Sequence, residues 1–139
     1  MNTLITSTTI GLLWILANTV ASAEWHRFRG PEGNGYVPGN IELVTELKKK
    51  TIAWTAPLPG RGLGSAIIVG DKVFVSAASG PEQKNLLILC FSDRDGSELW
   101  RRSFWATGRT MCHKKTCVAA PTPTTDGKHV YVLWSSNDL

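Results

Sequence analysis

From Thr51 onward, the sequence alternates short runs of β-forming residues with clusters of turn-forming residues. Four such runs lie within residues 65–104, and turn clusters rich in Gly, Asp, Ser and Pro separate them. Runs of this length with such boundaries are typical of strands joined by tight turns. This part of the chain therefore predicts a four-stranded antiparallel meander. The predicted strands are residues 65–69, 73–77, 86–91 and 98–104.

The same pattern begins again near residue 121. The segment VGDKVFV at residues 69–75 is matched by TDGKHVYV at residues 125–132, which predicts a second hairpin. Trp54 and Trp100, which are 46 positions apart, each close an apolar run. A β-sandwich would also have short strands and turns, but it does not by itself require a repeated Trp and a repeated hairpin. Internal similarity at a period of about 40–50 residues is typical of β-propeller blades.

The predicted fold class is all-β, a β-propeller of four-stranded antiparallel blades, and residues 51–139 supply about one and a half of them. Because a propeller needs about four to eight blades, the sequence predicts an incomplete ring, as in an N-terminal fragment or a prematurely ended product. Residues 24–40 are rich in Gly, Pro and Arg, and residues 24–50 are predicted to form an irregular leading segment. Within it, Ile41–Lys50 is either a helix or a loop before a strand at Thr51–Trp54.

The first 23 residues have the layout of a secretory signal peptide. The apolar stretch Ile10–Ala17 is followed by the small residues Ala21, Ser22 and Ala23, a pattern that signal peptidase cleaves. A membrane anchor is the alternative, but a span needs about 18 or more apolar residues, and this run is shorter and interrupted. We therefore expect cleavage after Ala23, a periplasmic or secreted mature protein, and no stable membrane span after cleavage.

The formal net charge of +4 belongs to the mature part, because residues 1–23 contain no charged side chain. Lys48–Lys50 is the only run of three basic residues. Since there is neither an Arg-rich helix nor an interleaved set of basic and aromatic residues, the sequence predicts no nucleic-acid partner.

Three segments carry a resemblance to a known family. Asp95–Trp100 (DGSELW) is similar to a D-x-x-x-G-x-x-x-W blade ending, Gly70–Val75 (GDKVFV) to a blade hairpin, and residues 25–35 (WHRFRGPEGNG) to a leading segment. On these residues, the mature chain resembles the pyrroloquinoline-quinone-like (PQQ-like) repeat β-propellers, which are exported quinoprotein-like proteins of bacteria. The resemblance covers nearly all of residues 24–134.

The resemblance implies one of two functions. The first is a non-catalytic binding or scaffold module, whose partner is a protein or a small-molecule ligand. The alternative is the N-terminal part of a PQQ-dependent dehydrogenase, which needs PQQ, a calcium ion with carboxylate and amide ligands, and a catalytic aspartate. No residue of this chain can be matched to such a site. We therefore assign no catalytic and no metal-binding residue, leave the cofactor-binding residues open, and expect no cofactor in this fragment.

The resemblance also implies a role for the repeated tryptophans. In PQQ-like repeats the blade tryptophan packs between neighbouring blades, so Trp54 and Trp100 are expected to be structural. Stacking on a flat cofactor is the alternative. A buried indole ring also requires an acceptor for its N–H group.

The segment Met111–Cys117 (MCHKKTC) has the densest grouping of reactive side chains. It lacks the C-x-x-C-H pattern of a c-type haem site, and its three candidate ligands are fewer than the four of a structural zinc site. Because an exported protein can form disulfides, we predict a Cys112–Cys117 disulfide, with two free thiols or a metal site as alternatives. Cys90 lies in an apolar run and is predicted to be a small buried residue.

Other polar or Gly-rich segments are interpreted structurally. Gly60–Gly64 (GRGLG) lacks the Walker pattern, so we interpret it as a link between strands and not as a phosphate loop. The sequence places no Ser or Cys beside the histidines, so no catalytic triad is predicted; they are His26, His113 and His129. Three arginines in Gly-rich loops are expected to hold blade edges together, with anion binding as the alternative; they are Arg27, Arg29 and Arg61.

Overall fold

The structure is a computed structural model that describes residues 24–37, 39 and 44–139. The predicted signal peptide lies outside the described residues. The described part contains six strands and two short 3-10 helices, Lys49–Thr51 and Pro81–Gln83. The strands are β1 (Ile67–Val69), β2 (Lys72–Ser79), β3 (Asn85–Ser92), β4 (Glu98–Trp105), β5 (Thr124–Thr125) and β6 (Val130–Tyr131). No helix in these ranges has the length and apolar character needed to cross a membrane.

Strands β1 to β4 form one antiparallel sheet in the order β1-β2-β3-β4, which we call the first sheet. Strands β2 and β3 pair over all eight residues of each. Strands β3 and β4 pair at seven positions, with an irregularity at Cys90 and Phe91. The predicted meander and the all-β class are therefore confirmed. Strands β5 and β6 form a separate two-stranded sheet, so the predicted second hairpin is also confirmed.

Strand β3 is buried on both of its faces. Residues 86–91 are all buried, which is typical of a strand covered on both sides. On one face, Leu87 and Leu89 pack with Trp54 and Ala56, which precede the sheet in sequence. The segment before the first sheet therefore covers one of its two apolar faces.

The other face of the first sheet, which we call the stacking face, carries the second repeat. Leu86 and Ile88 of β3 belong to one buried cluster with Val118, Val132 and Trp134. Since these contacts join residues from both repeats, the two repeats share one apolar core. Burial of apolar surface between them is the main source of their association.

Strand β4 differs from β3 because all eight of its residues are exposed. Its large apolar side chains are between 38% exposed, at Trp100, and 65% exposed, at Trp105. The apolar layers that cover β3 therefore do not extend over β4.

The strand predicted at Thr51–Trp54 is wrong. Lys49–Thr51 is a short 3-10 helix, and residues 52–58 belong to no strand. The physical reason is that a strand requires a neighbour for its backbone hydrogen bonds, and no strand of the described residues pairs with this segment. Of the alternative helix at Ile41–Lys50, residues 41–43 lie outside the described residues, and residues 44–48 are not helical.

The leading segment is irregular as predicted, except where it contacts both sheets. Trp25 pairs with Ile68 of β1 through two backbone hydrogen bonds of 2.9 and 3.0 Å. The carbonyl of His26 then accepts a hydrogen bond from the N–H of Thr125 in β5 at 3.1 Å. Two consecutive residues therefore link the first strand of each repeat.

Candidate functional site

The turn from β3 to β4 spans Asp93–Gly96 and is fixed by hydrogen bonds. Gly96 has a φ of 71°, in the left-handed region that favours glycine, and its N–H donates to the carbonyl of Ser92 at 3.0 Å. The Asp95 carboxylate accepts hydrogen bonds from the N–H and the hydroxyl of Ser97 at 3.1 and 2.8 Å. These bonds lower the pKa of Asp95, so the ionised carboxylate stabilises the turn.

Trp54 packs onto this turn, and we call the contact the Trp54 joint. Its indole Nε1 donates to the carbonyl of Asp93 at 2.7 Å. A Cβ atom built on Gly96 would lie 2.4 Å from Cε3 of Trp54, a distance that real Cβ contacts do not reach. The joint therefore requires both an indole and a residue without a side chain at position 96. Trp54 thus packs on the first sheet, and the expected role of the repeat tryptophans between neighbouring blades stays a prediction.

Trp100 occupies the matching position in the repeat, but no turn of the described residues packs on it as Asp93–Gly96 packs on Trp54. It is the third residue of β4 and is 38% exposed. Its ring lies 5.8 Å from the ring of Phe74, with an interplanar angle of 57°. The Arg102 guanidinium carbon lies 5.7 Å from the same indole ring. The structural role of Trp100 between two blades therefore stays a prediction.

An open groove of about 680 Å³ lies between the uncovered part of the stacking face and the second repeat. Trp100, Arg102 and Phe104 follow one another at alternate positions of β4 on the side of the groove. Val132 and Trp134 of the second repeat form the opposite wall. The groove is therefore lined mainly by apolar side chains, together with the charged or ionisable side chains of Arg102, Lys128, His129 and Asp138.

The Asp138 carboxylate, which lines the groove, is fixed by hydrogen bonds from neighbouring residues. Asp138 accepts hydrogen bonds from the hydroxyls of Ser136 and Thr107 at 2.6 and 2.5 Å, and from the N–H of Thr107 at 3.1 Å. These bonds lower the pKa of Asp138 to about 2. Asp138 therefore stays ionised at neutral pH and ties the loop after β4 to the last residues of the chain.

The three cysteines are free thiols in the structure, so the predicted Cys112–Cys117 disulfide is not formed in it. The half-buried Cys112 sulfur accepts a hydrogen bond from Nε2 of Gln83 at 3.3 Å. Cys117 is fully buried in the core shared by the two repeats. Cys90 is also fully buried, as predicted, and burial raises the pKa of its thiol. Low exposure and a raised pKa both make a thiol less reactive.

We therefore expect Cys112 to react with iodoacetamide before the other two cysteines. Partial exposure lets reagent reach Cys112, whereas Cys90 and Cys117 react only when the fold opens. Timed alkylation followed by peptide mass spectrometry measures the order, and the urea-unfolded protein is the control in which all three react. A linked Cys112–Cys117 peptide in a non-reduced digest would restore the disulfide that the sequence predicted.

The Gly-rich link at residues 60–64 runs against neighbouring backbone. A Cβ on Gly62 would lie 2.3 Å from the carbonyl oxygen of Ser76, and one on Gly64 would lie 2.4 Å from that of Pro121. The N–H of Gly64 donates to the carbonyl of Ala119 at 3.2 Å. Residues 60–64 therefore form a close-packed link between strands, as predicted. The N–H group of Gly64 is already hydrogen-bonded to another part of the protein.

Arg61 lies in this link and joins β2 to the segment between the two repeats. Its backbone pairs with Ala78 of β2, and its guanidinium donates to the carbonyl of Lys114 at 3.1 Å. The expected role of Arg61 in holding blade edges together stays a prediction. Arg29 instead donates to the carbonyl of Asn34 within its own loop.

The imidazole side chains of the histidines form hydrogen bonds with residues close to them in sequence, and within the described ranges none is bonded to a Ser or Cys side chain. His26 contacts Glu24 at 2.5 Å, His113 accepts from the N–H of Lys115 at 3.2 Å, and His129 contacts Asp126 at 3.2 Å. In residues 24–37, 39 and 44–139, no three His, Cys, Asp or Glu side chains are grouped as a metal ion would require.

Comparison with known proteins gives no match to a protein-family model, to a curated protein or to a solved structure. The resemblance to PQQ-like repeats therefore rests on the sequence segments quoted above, and the family stays a prediction. The structure establishes the coarser description, an all-β chain with antiparallel sheets of four and two strands.

Proposed function

We propose that residues 51–139 are blades of an exported β-propeller that acts as a binding or scaffold module. In this proposal, residues 1–23 are the signal peptide, and the mature protein functions in the periplasm or outside the cell. The proposal is supported by the sequence repeat and by the way in which apolar surface is distributed over the first sheet.

The first support is that both faces of the first sheet are apolar at β3, and that other parts of the chain pack on each of them. Leu87 and Leu89 on one side of β3, and Leu86 and Ile88 on the other, are buried by different parts of the chain. A propeller blade is covered in this way by its two neighbours, whereas a sheet of an ordinary sandwich has one face toward water.

The observation that carries the proposal is the contrast between the two repeat tryptophans. Trp54 is packed on the Asp93–Gly96 turn of the sheet that follows it. Trp100 ends the next repeat unit and leaves its ring open to the groove. If the sequence repeat corresponds to a repeated structural unit, the Trp100 ring should also pack on a turn like Asp93–Gly96. Another blade would supply that turn.

A binding role is favoured over catalysis by the side chains around the groove. Its walls carry aromatic rings and the cationic side chains of Arg102 and Lys128, which are groups that recognise ligands through apolar and charged contacts. The carboxylate side chain that lines it, Asp138, is occupied by Ser136 and Thr107. Aromatic anchors and arginine are the residues most enriched at binding hot spots.

We expect the purified chain to bind no PQQ and to oxidise no alcohol. A cofactor site on a propeller axis is built by loops of several blades, and one and a half blades do not enclose it. The measurement adds PQQ and calcium, then follows cofactor absorbance and dye-linked alcohol oxidation, with calcium alone as the control. Saturable binding with turnover would contradict the proposal and favour the dehydrogenase alternative.

A further inference from the structure

Three connecting segments meet at one end of the first sheet, which we call the basic end. They are the link at residues 60–64, the turn at residues 80–84 and the loop at residues 106–117. The turn contacts the loop because the N–H of Ala106 donates to the carbonyl of Lys84 at 2.8 Å. The link contacts the same loop through the hydrogen bond of the Arg61 guanidinium described above.

The basic end has more cationic than anionic groups. Its five Lys and Arg side chains are Arg61, Lys84, Arg109, Lys114 and Lys115. They outnumber the three anionic groups, which are the side chains of Glu82 and Asp138 and the terminal carboxylate of Leu139, so the net charge is +2. Of the five cations, only Lys84 forms an ion pair within the described part of the chain, with Glu82 at 2.7 Å.

The opposite end of the first sheet has the reverse charge, and we call it the acidic end. There the N–H of Asp93 donates to the carbonyl of Asp71 at 3.0 Å, and the Glu24 carboxylate accepts from the N–H of Gly70 at 3.3 Å. Five carboxylate side chains outnumber three Lys and Arg side chains over residues 24, 70–72, 93–96 and 126–128. The charge is therefore separated along the strands, and this separation orients the basic end toward an anionic partner.

Two exposed apolar side chains stand among the cations of the basic end. Met111 is 76% exposed, and its sulfur lies 3.1 Å from the Arg109 guanidinium. Leu63 is 55% exposed and follows Arg61 in the link. Because the backbone N–H of Leu63 donates to the carbonyl of Ala119 at 3.1 Å, the link is fixed with this side chain outward. Exposed apolar groups beside cations are typical of surfaces that bind anionic membranes.

We propose that the basic end binds the surface of a membrane that contains anionic lipids. The Lys and Arg side chains contact the lipid phosphates, and Met111 and Leu63 enter the headgroup region. A membrane is favoured over an acidic protein because the cations are spread over three segments and the apolar side chains project outward among them. These features suit a broad surface that is anionic outside and apolar beneath.

This inference goes beyond the proposed function and does not depend on the number of blades. In a propeller, neighbouring blades stack through the faces of their sheets. Further strands would therefore cover the stacking face and leave the basic end in solvent.

The test is cosedimentation with lipid vesicles. It uses the mature chain that begins at Glu24, which contains every residue of the described fold and excludes the apolar stretch at residues 10–17. One set of vesicles is phosphatidylcholine alone, and the other contains about 30% phosphatidylglycerol. We expect saturable binding to the anionic vesicles only, and weaker binding as salt concentration rises.

Two double variants with the same change in net charge locate the surface. Lys114→Gln with Lys115→Gln, at the basic end, should lower the affinity about twentyfold, since each cation near an anionic membrane contributes about fivefold. Arg94→Gln with Lys128→Gln, at the acidic end, should leave the affinity within about twofold. All four side chains are exposed, and circular dichroism checks that both proteins are folded. Met111→Ser, which changes no charge, should weaken vesicle binding by about threefold.

Three outcomes would overturn the inference: no saturable binding to anionic vesicles, equal losses in the two double variants, or binding to soluble polyglutamate without binding to vesicles. Equal losses would show that the total charge acts and not the basic end. Binding to polyglutamate alone would assign the basic end to an acidic protein. None of these outcomes affects the proposed propeller, which the energetic coupling of Trp54 and Gly96 tests separately.

Discussion

Replacing Gly96 by alanine is expected to lower the free energy of unfolding by about 3–4 kcal/mol. The φ of 71° costs a residue with a side chain roughly 1 kcal/mol. The new Cβ would also stand 2.4 Å from Cε3 of Trp54. Because the turn is held by its backbone hydrogen bonds, the indole must move, and its lost packing costs roughly 2–3 kcal/mol more. Urea unfolding followed by circular dichroism measures the total.

Gly70→Ala is the matched control for this substitution. Gly70 also has a left-handed φ, 60°, but a Cβ there meets no atom within 4 Å. Its replacement should therefore cost only the backbone strain, about 1 kcal/mol. Equal losses in the two variants would show that the contact between Trp54 and position 96 contributes nothing to stability.

The second large effect is expected for Trp54→Ala, a loss of about 3 kcal/mol, at the lower end for a large aromatic side chain. Trp54 is half-buried, packs on the first sheet and donates a hydrogen bond to Asp93. Trp100→Ala should cost less than about 1.5 kcal/mol in this chain, because Trp100 is 38% exposed. In a complete propeller, we expect the cost of Trp100→Ala to rise to about 3–5 kcal/mol.

Trp54→Phe divides the effect of the first tryptophan into packing and hydrogen bonding. Phenylalanine keeps an aromatic ring near the turn but has no N–H group for the Asp93 carbonyl, so a loss of about 1 kcal/mol is expected. The same urea titrations provide the values. A larger loss for Trp100→Ala than for Trp54→Ala would contradict the assignment of Trp54 as the closed joint and Trp100 as the open one.

The strands of the meander could be predicted because the signals for them are local. Each strand is bounded by turn residues such as Gly70, Asp71 and Gly96, and β-forming residues fill the runs between them. The continuous apolar run at residues 86–91 was predicted as one strand, and the structure confirms a strand there, β3. Its burial on both faces is a finding of the structure.

The pairing of distant segments could not be predicted in the same way. Thr51–Trp54 has a strand-like composition, but whether it pairs depends on a neighbour that its own residues do not specify. The hydrogen bonds of Trp25 with Ile68 likewise join residues far apart in sequence. Local patterns give the tendency to be extended, whereas tertiary contacts decide which extended segments form a ladder.

The candidate site was predictable in its parts but not in its contacts. The sequence indicated a turn at Asp93–Gly96 and a structural Trp54, yet the 39 positions between Trp54 and Asp93 conceal that they meet. The alignment of Trp100, Arg102 and Phe104 along the groove was missed, although the two-residue period of a strand places all three on one face. The rings that pack against Trp100 and Phe104 come from β2 and from the second repeat, and local patterns do not reveal these contacts.

The central claim is that a repeat tryptophan joins one unit to the next by packing on a glycine turn. The most direct test is a double-mutant cycle of Trp54→Ala and Gly96→Ala, with the free energy of unfolding measured for all four proteins. Once Trp54 is alanine, the added Cβ at position 96 meets no indole, so Gly96→Ala should cost only about 1 kcal/mol. A coupling energy of about 2–3 kcal/mol is therefore predicted. Additive losses, with no coupling, would contradict the joint and the stacking of repeats inferred from it.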